Sequence, residues 1–413
     1  MNQYIPSLTA SKPRTIKRSN QRAVLELFRY NESLSIGEIS GLISLSKTSV
    51  TKIIGAFLES GVIKSLGKGP STDEGGKRPE LFGLEASRLC TVAISLYHNA
   101  FDVALLNVHA EAFYYENVQF SPTLDYEDVV KALTDGTVRI LDERGLKPDQ
   151  IMGIVVGCAG VVDSHQRMIR TSIRTNWNLN LPIGDDLEAA LPFSVPIFVD
   201  NFVRFQGYAS FMREDSNIDN LVFIFSSAHT GGCVIIDREI VSGTNSFVGE
   251  IGHMIIDPKS NIRCNCGNYG CFEETVNIDR IAAETISAKD GHRDSSLYLA
   301  ADARTLNIND IFAAADGGDA WAQEILDGIV QNFTVLIQNL TVTCDPQKVI
   351  ISGAYGRSGR YFPEKLSESV AKLSFYKTQC EIIVECSETD TSQNFFSGAG
   401  GYTFQHFLSR AEF

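Results

Sequence analysis

The chain has 413 residues, more than one hydrophobic core usually organises, so its length predicts two or three domains. With 44% hydrophobic and 21% charged residues, its composition excludes a largely disordered or fibrous protein. The net charge of -14 argues against nucleic-acid binding only if that charge is evenly spread. It is not, because residues 1–85 carry 12 Lys and Arg against 8 Asp and Glu, a net +4, which leaves -18 for the rest.

Targeting signals are not evident in the sequence. Uninterrupted apolar runs stay shorter than the eighteen residues that a membrane span needs, and the first 22 residues carry five basic side chains without an apolar stretch. We therefore expect a cytoplasmic protein without a membrane partner. In that compartment its nine cysteines are expected to be reduced thiols or metal ligands.

The basic N-terminal part has the spacing of a helix-turn-helix. Apolar residues on one helical face predict a first helix over 20–30, with Asn20 as its N-cap. Ser35 followed by Glu38 is a capping-box pattern that opens a short second helix. A tight connection at 44–46 then leads into a third helix over 47–60.

The third helix has two different faces. Its apolar residues are expected to point inward: Val50, Ile53, Ile54, Phe57 and Leu58. A recognition helix contacts base edges and phosphates through its N-terminal, outward residues, which here are Lys47, Thr48, Ser49, Thr51 and Lys52. We expect these five side chains to contact operator DNA.

A wing follows the third helix. Residues 62–66 alternate like a strand, 67–79 are rich in turn residues, and 81–84 provide a return strand, which leaves Lys77 and Arg78 able to reach the DNA backbone. The alternative is a small three-helix domain that packs on the rest of the chain or on a protein partner. The cationic face and the wing together favour DNA binding.

The acidic remainder has an α/β pattern that recurs. Strands over 91–96 and 101–107, a helix over 126–143 and a strand over 151–156 make the first set. Strands over 221–225 and 233–236, a helix over 320–340 and a strand over 348–351 make the second. This order predicts two similar α/β halves with a cleft between them.

A cysteine cluster carries the most specific chemistry. His253 is followed by Cys264, Cys266 and Cys271, and one imidazole with three thiols is a ligand set that Zn²⁺ favours in closed structural sites. Gly267 and Gly270 both allow the chain to reverse, so that Cys271 returns to the same ion. The alternative is a loop of reduced cysteines beside an unrelated histidine.

These motifs resemble the signature of the ROK family, which contains sugar-responsive repressors and sugar kinases. Two motifs carry the resemblance: Gly-Glu-Ile-Gly-His at 249–253 and Cys-x-Cys-Gly-x-x-Gly-Cys-x-Glu at 264–273. The Gly-Gly-Lys-Arg-Pro wing at 75–79 resembles the repressor branch, and residues 157–163 are similar to the family's Pro-Gly-x-Val-Asp loop. The resemblance covers nearly the whole chain.

The resemblance implies a winged helix-turn-helix followed by a two-lobed, actin-like ATPase (sugar kinase-like) fold. The implied divisions are 1–85 for the DNA-binding domain, 86–200 for the first lobe and 201–413 for the second lobe with the zinc loop, its C-terminal helix returning to the first lobe. Sugar is expected to bind in the cleft through the residues that match the family's motifs: Asn201, Glu250, His253 and Glu273. His253 is then expected to bind zinc through one ring nitrogen and a sugar hydroxyl through the other.

The sequence departs from the family's kinases at the position of the general base. Those kinases resemble Glu-Asn-Asp-Ala-Asn, in which the Asp takes the proton from the attacking sugar hydroxyl, whereas residues 200–204 here read Asp-Asn-Phe-Val-Arg. Phe202 cannot accept a proton, so the chain is not expected to be an enzyme. The effector is expected to lack a polar group at this point, or to bind weakly.

The phosphate loops depart as well. The family's Asp-x-Gly-Gly-Thr loop corresponds to Ser-Leu-Tyr-His-Asn at 95–99, and its Gly-Thr-Gly-Ile-Gly-x-Gly loop to Ser-Ala-His-Thr-Gly-Gly-Cys at 227–233. Its Gly-Gly-Gly loop corresponds to Ser-Gly-Ala at 352–354. Phosphoryl transfer depends on positioning and electrostatics, which these replacements remove.

The sequence therefore favours a transcriptional regulator, most simply a repressor, that a sugar-like effector controls. Two-fold symmetric operators require paired heads, so we expect a homodimer or a tetramer. Two alternatives remain: an ATP-dependent sugar kinase with an atypical site, and a regulator that senses a protein partner.

Overall fold

The structure is a computed structural model, and it describes residues 13–70, 78–85, 89–97, 99–121, 123–171, 177, 179–214, 217–375, 378–379 and 381–410. The N-terminal head contains α1 (Pro13–Tyr30), β1 (Leu34–Ser35), α2 (Ile36–Leu42), α3 (Lys47–Ser60), β2 (Ile63–Lys68) and β3 (Glu80–Leu84). Its small sheet has the order β1-β3-β2, so the head is the winged helix-turn-helix that the sequence predicts. Within the described residues, no helix is long and apolar enough to cross a membrane.

Local signals set the ends of the head's helices. The Ser35 hydroxyl accepts a hydrogen bond from the Glu38 amide, and the Glu38 carboxylate accepts one from the Ser35 amide, which is the predicted capping box. The Ser46 side chain caps α3 in a similar way. The prediction that Asn20 caps the first helix is wrong, because α1 begins at Pro13, whose fixed φ suits a first helical turn.

The first lobe is an α/β layer with the strand order β10-β7-β4-β5-β6. Strands β4, β5 and β6 form an antiparallel meander, while β4, β7 and β10 run parallel. Its elements are β4 (Cys90–Leu96), β5 (Ala100–Leu106), β6 (Ala112–Gln119), α4 (Tyr126–Glu143), β7 (Ile151–Cys158), β8 (Val161–Asp163), β9 (Met168–Thr171), α5 (Ile183–Ala190), β10 (Ile197–Asn201) and α6 (Phe202–Met212). The edge strand β6 has no counterpart in the sequence prediction.

The second lobe repeats this plan with the strand order β13-β12-β11-β14-β17. Strands β13, β12 and β11 are antiparallel, and β11, β14 and β17 are parallel, so the predicted pair of similar halves is present. Its elements are β11 (Leu221–Ser226), β12 (Thr230–Ile236), β13 (Glu239–Ile240), α7 (Phe272–Val276), α8 (Ile278–Ala288), α9 (Tyr298–Asp302), α10 (Ile308–Asp316), α11 (Ala320–Cys344), β14 (Lys348–Gly353), α12 (Tyr361–Val370), β15 (Ser374–Phe375), β16 (Thr378–Gln379), β17 (Ile383–Cys386) and α13 (Thr391–Arg410).

Helix α6 lies between the two lobes and packs closely on both. Its Phe205 belongs to an apolar cluster with strand residues of the first lobe and with α13, while its Val203 packs with residues of the second sheet. A Cβ at Gly207 would clash with Cys233 of β12, and one at Gly398 of α13 would clash with the Phe205 carbonyl. Two glycines therefore allow α6 to contact β12 and α13 at backbone distance.

The head is packed against the body by the same C-terminal helix. Phe404 of α13 is fully buried in one cluster with Val24 and Phe28 of α1. The Arg29 guanidinium lies over the Phe404 ring, 5.7 Å from its centroid, and its Nη2 is 3.1 Å from the Met212 sulfur at the end of α6. Head and body therefore share a core, and α6 and α13 both reach it.

Candidate functional site

A cavity of about 310 Å³ lies between the lobes, at the lower end of the range for small-molecule pockets. Strand ends of both sheets meet there, so Cys158 and Asn201 from the first lobe face Phe225 and Thr230 from the second. All four residues that the resemblance assigned to sugar binding line this cavity: Asn201, Glu250, His253 and Glu273.

Asn201 is held in one orientation by the backbone around it. Its Nδ2 donates to the Gly160 carbonyl at 2.8 Å, and its Oδ1 accepts from the Val203 amide at 2.8 Å as the N-cap of α6. An amide has a second N–H and a second lone pair, so these bonds orient the group without exhausting it. Asn201 therefore presents a fixed donor and acceptor to the cleft.

Glu273 joins the cleft to a neighbouring loop. Its Oε2 accepts a hydrogen bond from the Thr230 amide at 2.7 Å and lies 3.8 Å from Nδ1 of His229. Burial acts to raise the pKa of this carboxyl, but the contacts with His229 and the Thr230 amide lower it overall. Glu273 is therefore an ionised acceptor at one wall of the cavity.

Glu250 and His253 are the other two predicted sugar-binding residues that line the cavity. The Glu250 Oε2 is 4.0 Å from Nε2 of His253, and burial raises the pKa of Glu250. The other ring nitrogen of His253, Nδ1, is 3.5 Å from Sγ of Cys264. One ring nitrogen of His253 is thus nearest to Glu250 of the cleft, and the other is nearest to the cysteine cluster.

The wall beside Asn201 is apolar. The ring of Phe202 meets that of Phe225 edge-on, with centroids 6.3 Å apart, and further apolar lining comes from Leu96, Ile169, Trp177 and Val203. Phe202 is the residue that the sequence resemblance aligns with the kinases' general base, and its ring has no acceptor atom for a proton. The cavity therefore has a polar corner and an aromatic wall.

Two backbone N–H groups of the 227–230 loop donate hydrogen bonds inside the protein. The Ser227 amide donates to the His229 carbonyl at 3.0 Å, and the Thr230 amide donates to Glu273. The Ala354 amide on the neighbouring strand end donates to Ser226 at 2.9 Å. Phosphate binding uses such backbone groups as donors, and these amides are engaged within the protein. In the other loop Tyr97 fills space at the cavity, and His98 lies outside the described residues.

The four proposed metal ligands converge beside the cleft. The ligand atoms of His253, Cys264, Cys266 and Cys271 all lie within 4.8 Å of one another, and the Cys266 and Cys271 sulfurs are 3.6 Å apart. A tetrahedral site with metal–sulfur bonds of about 2.3 Å separates its sulfurs by about 3.8 Å. All three cysteines are free of disulfides, so the donor set fits a metal ion.

Two glycines shape the cysteine loop in the way that the sequence predicts. Gly267 has a φ of 95° and its amide donates to the Cys264 carbonyl. Gly270 has a φ of 72°, and a Cβ there would clash with the Asp257 carbonyl. Both positions require the left-handed conformation that glycine adopts without strain, and the resulting reversal brings Cys271 to the other ligands.

The proposed DNA-contacting face is on the outside of the head. Lys47, Thr48, Thr51 and Lys52 are exposed and Ser49 is partly exposed, whereas Val50, Ile53, Ile54 and Phe57 are buried. Leu58 was expected to point inward, but it is 39% exposed because it falls at the edge of the apolar face. Arg78 is exposed two residues before the return strand β3, and Lys77 lies outside the described residues.

Sequence reasoning missed Arg204. It is the only charged residue of α6, and it is among the largest fully buried side chains of the described chain. A single charge inside an otherwise apolar helix was the available signal.

Comparisons with known proteins agree with this organisation. The ROK family model matches residues 91–399, and a winged helix-turn-helix DNA-binding model matches residues 17–64. The chain is 24% identical to a xylose repressor of Caldicellulosiruptor bescii over 90% of this chain and 92% of that protein, and 28% identical to a glucokinase of Halalkalibacterium halodurans over 55% and 68%. The solved structure of a ROK family transcriptional regulator, a homologue of the Escherichia coli MLC protein, superposes with a TM-score of 0.77 at 21% identity, over 95% of this chain and 98% of that one. The chain therefore belongs to the ROK family, with a winged helix-turn-helix ahead of the family domain.

Proposed function

We propose that the protein is a DNA-binding transcriptional regulator, a repressor, that a sugar or sugar derivative controls from the cleft between the lobes. One observation carries this proposal: the chain joins an exposed, Lys- and Thr-bearing α3 to a cleft that keeps the sugar-type polar residues but has Phe202 at the base position. The similarity to a xylose repressor over 90% of the chain supports it.

The path from cleft to head supports control of DNA binding by the effector. Helix α6 begins at Asn201 in the cleft and ends at Met212, whose sulfur contacts Arg29 of α1. A change in the angle between the lobes moves α6, and with it the head. Effector and DNA then influence each other's affinity by the same factor.

The oligomeric state and the cellular compartment that we propose follow from operator binding. A head of this type reads one half-site, and paired half-sites lie about 34 Å apart on one face of DNA. We therefore propose a homodimer or a dimer of dimers that acts where the DNA is, in the cytoplasm. On DNA, the contacts are assigned to α3 and the wing through Lys47, Thr48, Ser49, Thr51, Lys52, Lys77 and Arg78.

We assign a structural Zn²⁺ to His253, Cys264, Cys266 and Cys271. Four protein ligands leave no open coordination position, so the ion supplies rigidity and does not activate water. Its effect on the cleft is to fix the His253 ring with Nε2 towards Glu250, since a ring held at one nitrogen has one orientation for the other.

The aromatic wall defines the effector that we propose. A sugar hydroxyl placed against Phe202 and Phe225 loses its water without gaining a hydrogen bond, which costs about 1–3 kcal/mol. An effector that carries hydrogen or an apolar group there avoids this cost. We therefore expect a deoxy sugar, or one with an apolar substituent at that carbon, to bind more tightly than the parent hexose.

Two measurements with one set of sugars test these proposals. Calorimetric titration with D-glucose, 6-deoxy-D-glucose, D-xylose and N-acetyl-D-glucosamine measures binding, and a coupled assay for ADP release measures turnover. We expect binding without turnover. ADP release that depends on the sugar and disappears in Glu250→Gln would establish the kinase alternative, and tight glucose binding that survives Phe202→Ala would contradict the proposed effector chemistry.

A regulator that senses a protein partner makes a different prediction. Its release from DNA would not respond to any sugar of the panel, whereas a partner protein added to the same assay would cause release. Release from DNA that depends on sugar therefore distinguishes a sugar-controlled regulator from one that senses a protein partner.

A further inference from the structure

Arg204 is a buried cation whose position calls for a physical reason. Its side chain is 2% exposed, and it is the only charged residue of α6. Moving a charge out of water costs several kcal/mol unless excellent hydrogen-bond geometry compensates for it. A helix that only had to pack between two sheets would be more stable with an apolar residue here.

The guanidinium joins the two lobes. Its Nη1 donates to Oδ1 of Asp200 at 2.8 Å, and Asp200 belongs to β10 of the first lobe. Its Nη2 donates to the carbonyls of Ser246 at 2.6 Å and Val248 at 2.9 Å in the second lobe. Those carbonyls belong to residues 242–249, which directly precede Glu250 of the cleft and are named here the 242–249 segment.

The 242–249 segment has a backbone that needs outside support. Ser246 has a φ of 60°, a left-handed value that is uncommon for a residue with a side chain, and it is 1% exposed. Gly249 has a φ of 98°, and a Cβ there would come within 2.5 Å of the Gly232 carbonyl oxygen. The two carbonyls that Arg204 binds lie between these unusual conformations, so the guanidinium fixes them in place.

The position of Glu250 follows from the position of this segment. The Glu250 amide donates to the Phe247 carbonyl at 3.1 Å, and the His253 amide donates to the Glu250 carbonyl at 3.0 Å. A second contact across the lobes, between Nε2 of His165 and the Ser242 hydroxyl at 3.2 Å, holds the start of the segment. Arg204 holds its end, next to Glu250.

We propose that Arg204 is a positioning residue of the effector site, which ties the segment that presents Glu250 to Asp200 and to α6. This inference rests on the proposed role of the cleft as a sugar site. An effector that hydrogen-bonds to Glu250 displaces the 242–249 segment, and Arg204 transmits this displacement to α6. Asp200 and Arg204, which replace the first and last residues of the kinases' Glu-Asn-Asp-Ala-Asn motif, thus serve regulation.

Arg204→Lys is the most informative substitution. An ammonium group retains the charge and can reach Asp200, but it lacks the planar fork that binds a carboxylate and two carbonyls together. The paired variant Asp200→Asn/Arg204→Gln removes both charges, so it keeps the test available if a lone charge prevents folding. Arg139→Lys is the matched control, because Arg139 pairs with Glu116 on the surface of the first lobe.

Hydrogen exchange and calorimetry report the result. In the folded Arg204 variants, we expect amides of residues 248–253 to exchange at least about tenfold faster, while amides of β12 keep the wild-type rate. Affinity for the best-binding sugar of the panel falls about tenfold or more, with zinc content unchanged. Arg139→Lys changes neither quantity.

The outcomes are distinct. A folded Arg204 variant with wild-type exchange in residues 248–253, or with faster exchange but wild-type sugar affinity, overturns the positioning role. Wild-type protein that binds no sugar of the panel contradicts the proposed function instead, and this is seen without any variant. In that case the exchange rates still decide whether Arg204 holds the segment.

Discussion

The shared core of head and body makes Phe404→Ala a direct test of coupling. Phe404 of α13 is fully buried in one cluster with residues of α1, and the Arg29 guanidinium lies over its ring. Removing a buried phenyl ring costs about 3–5 kcal/mol when the cavity does not collapse. That is a large part of the 5–15 kcal/mol that stabilises a typical domain, so the head should detach from the body before either unfolds.

The expected consequence is a regulator that binds DNA but no longer responds to sugar. The proposed DNA-contacting residues of α3 are on its exposed face, opposite the buried residues that share a cluster with Phe404, so each head should keep its own contacts with DNA. Allosteric coupling is typically a 5- to 150-fold change in affinity, about 1–3 kcal/mol, and the variant should lose nearly all of it. Fluorescence anisotropy with labelled operator DNA, with and without sugar, measures that ratio.

Phe362→Ala separates coupling from simple loss of stability. Phe362 is also fully buried, but it belongs to the core of the second lobe and not to the cluster that includes the head. Urea unfolding should show a similar loss in the free energy of unfolding for both variants. Phe362→Ala should keep its sugar response while it is folded. A full sugar response in Phe404→Ala would refute the reasoning that the shared core carries the signal.

Three further predictions concern the cluster, the second lobe and the head. Cys266→Ala should lose about one zinc per chain and unfold at a lower temperature, whereas Cys344→Ala, outside the cluster, should keep its zinc; a metal-free wild type of equal stability would contradict the assignment. Burial acts to raise the pKa of Asp319, but hydrogen bonds such as that from Ser296 lower it to about 2. The ionised Asp319 therefore stabilises the folded protein above about pH 4, and this stabilisation is lost as the pH falls towards 2. Asp319→Asn keeps an N-cap for α11, so acid titration of unfolding should become flatter between pH 4 and 2; an unchanged curve would refute this. Lys52→Ala should weaken DNA binding equally for all sequences and reduce the salt slope by about one, and an unchanged slope would remove Lys52 from the contact surface.

The parts of the fold that the sequence predicts correctly are those set by local chemistry. The Ser35–Glu38 capping box and the bounds of α3 follow from residues within a few positions of one another. The start of α1 was misjudged because a good N-cap residue such as Asn20 also occurs inside helices. The division of the body at residue 200 stays a prediction.

The site was accessible from sequence only where a motif marks it. Three cysteines within eight residues, with His253 ahead of them, indicated a metal site, and the family resemblance added the cleft residues. Arg204 was missed because the two carbonyls that it binds lie 42 and 44 residues away, and backbone acceptors leave no trace in a sequence. Edge strand β6 was missed because none of its residues is fully buried and its exposed side includes Phe113 and Tyr115.

The central claim is that the chain binds operator DNA and that a sugar in its cleft controls its affinity for that DNA. The most direct measurement is the affinity of the full-length protein for the promoter DNA upstream of its own gene, repeated with each sugar of the panel at fixed salt. We expect specific binding that at least one sugar weakens about fivefold or more, with no ADP formed from ATP. Binding that no sugar alters, together with sugar-dependent ADP release, would contradict it.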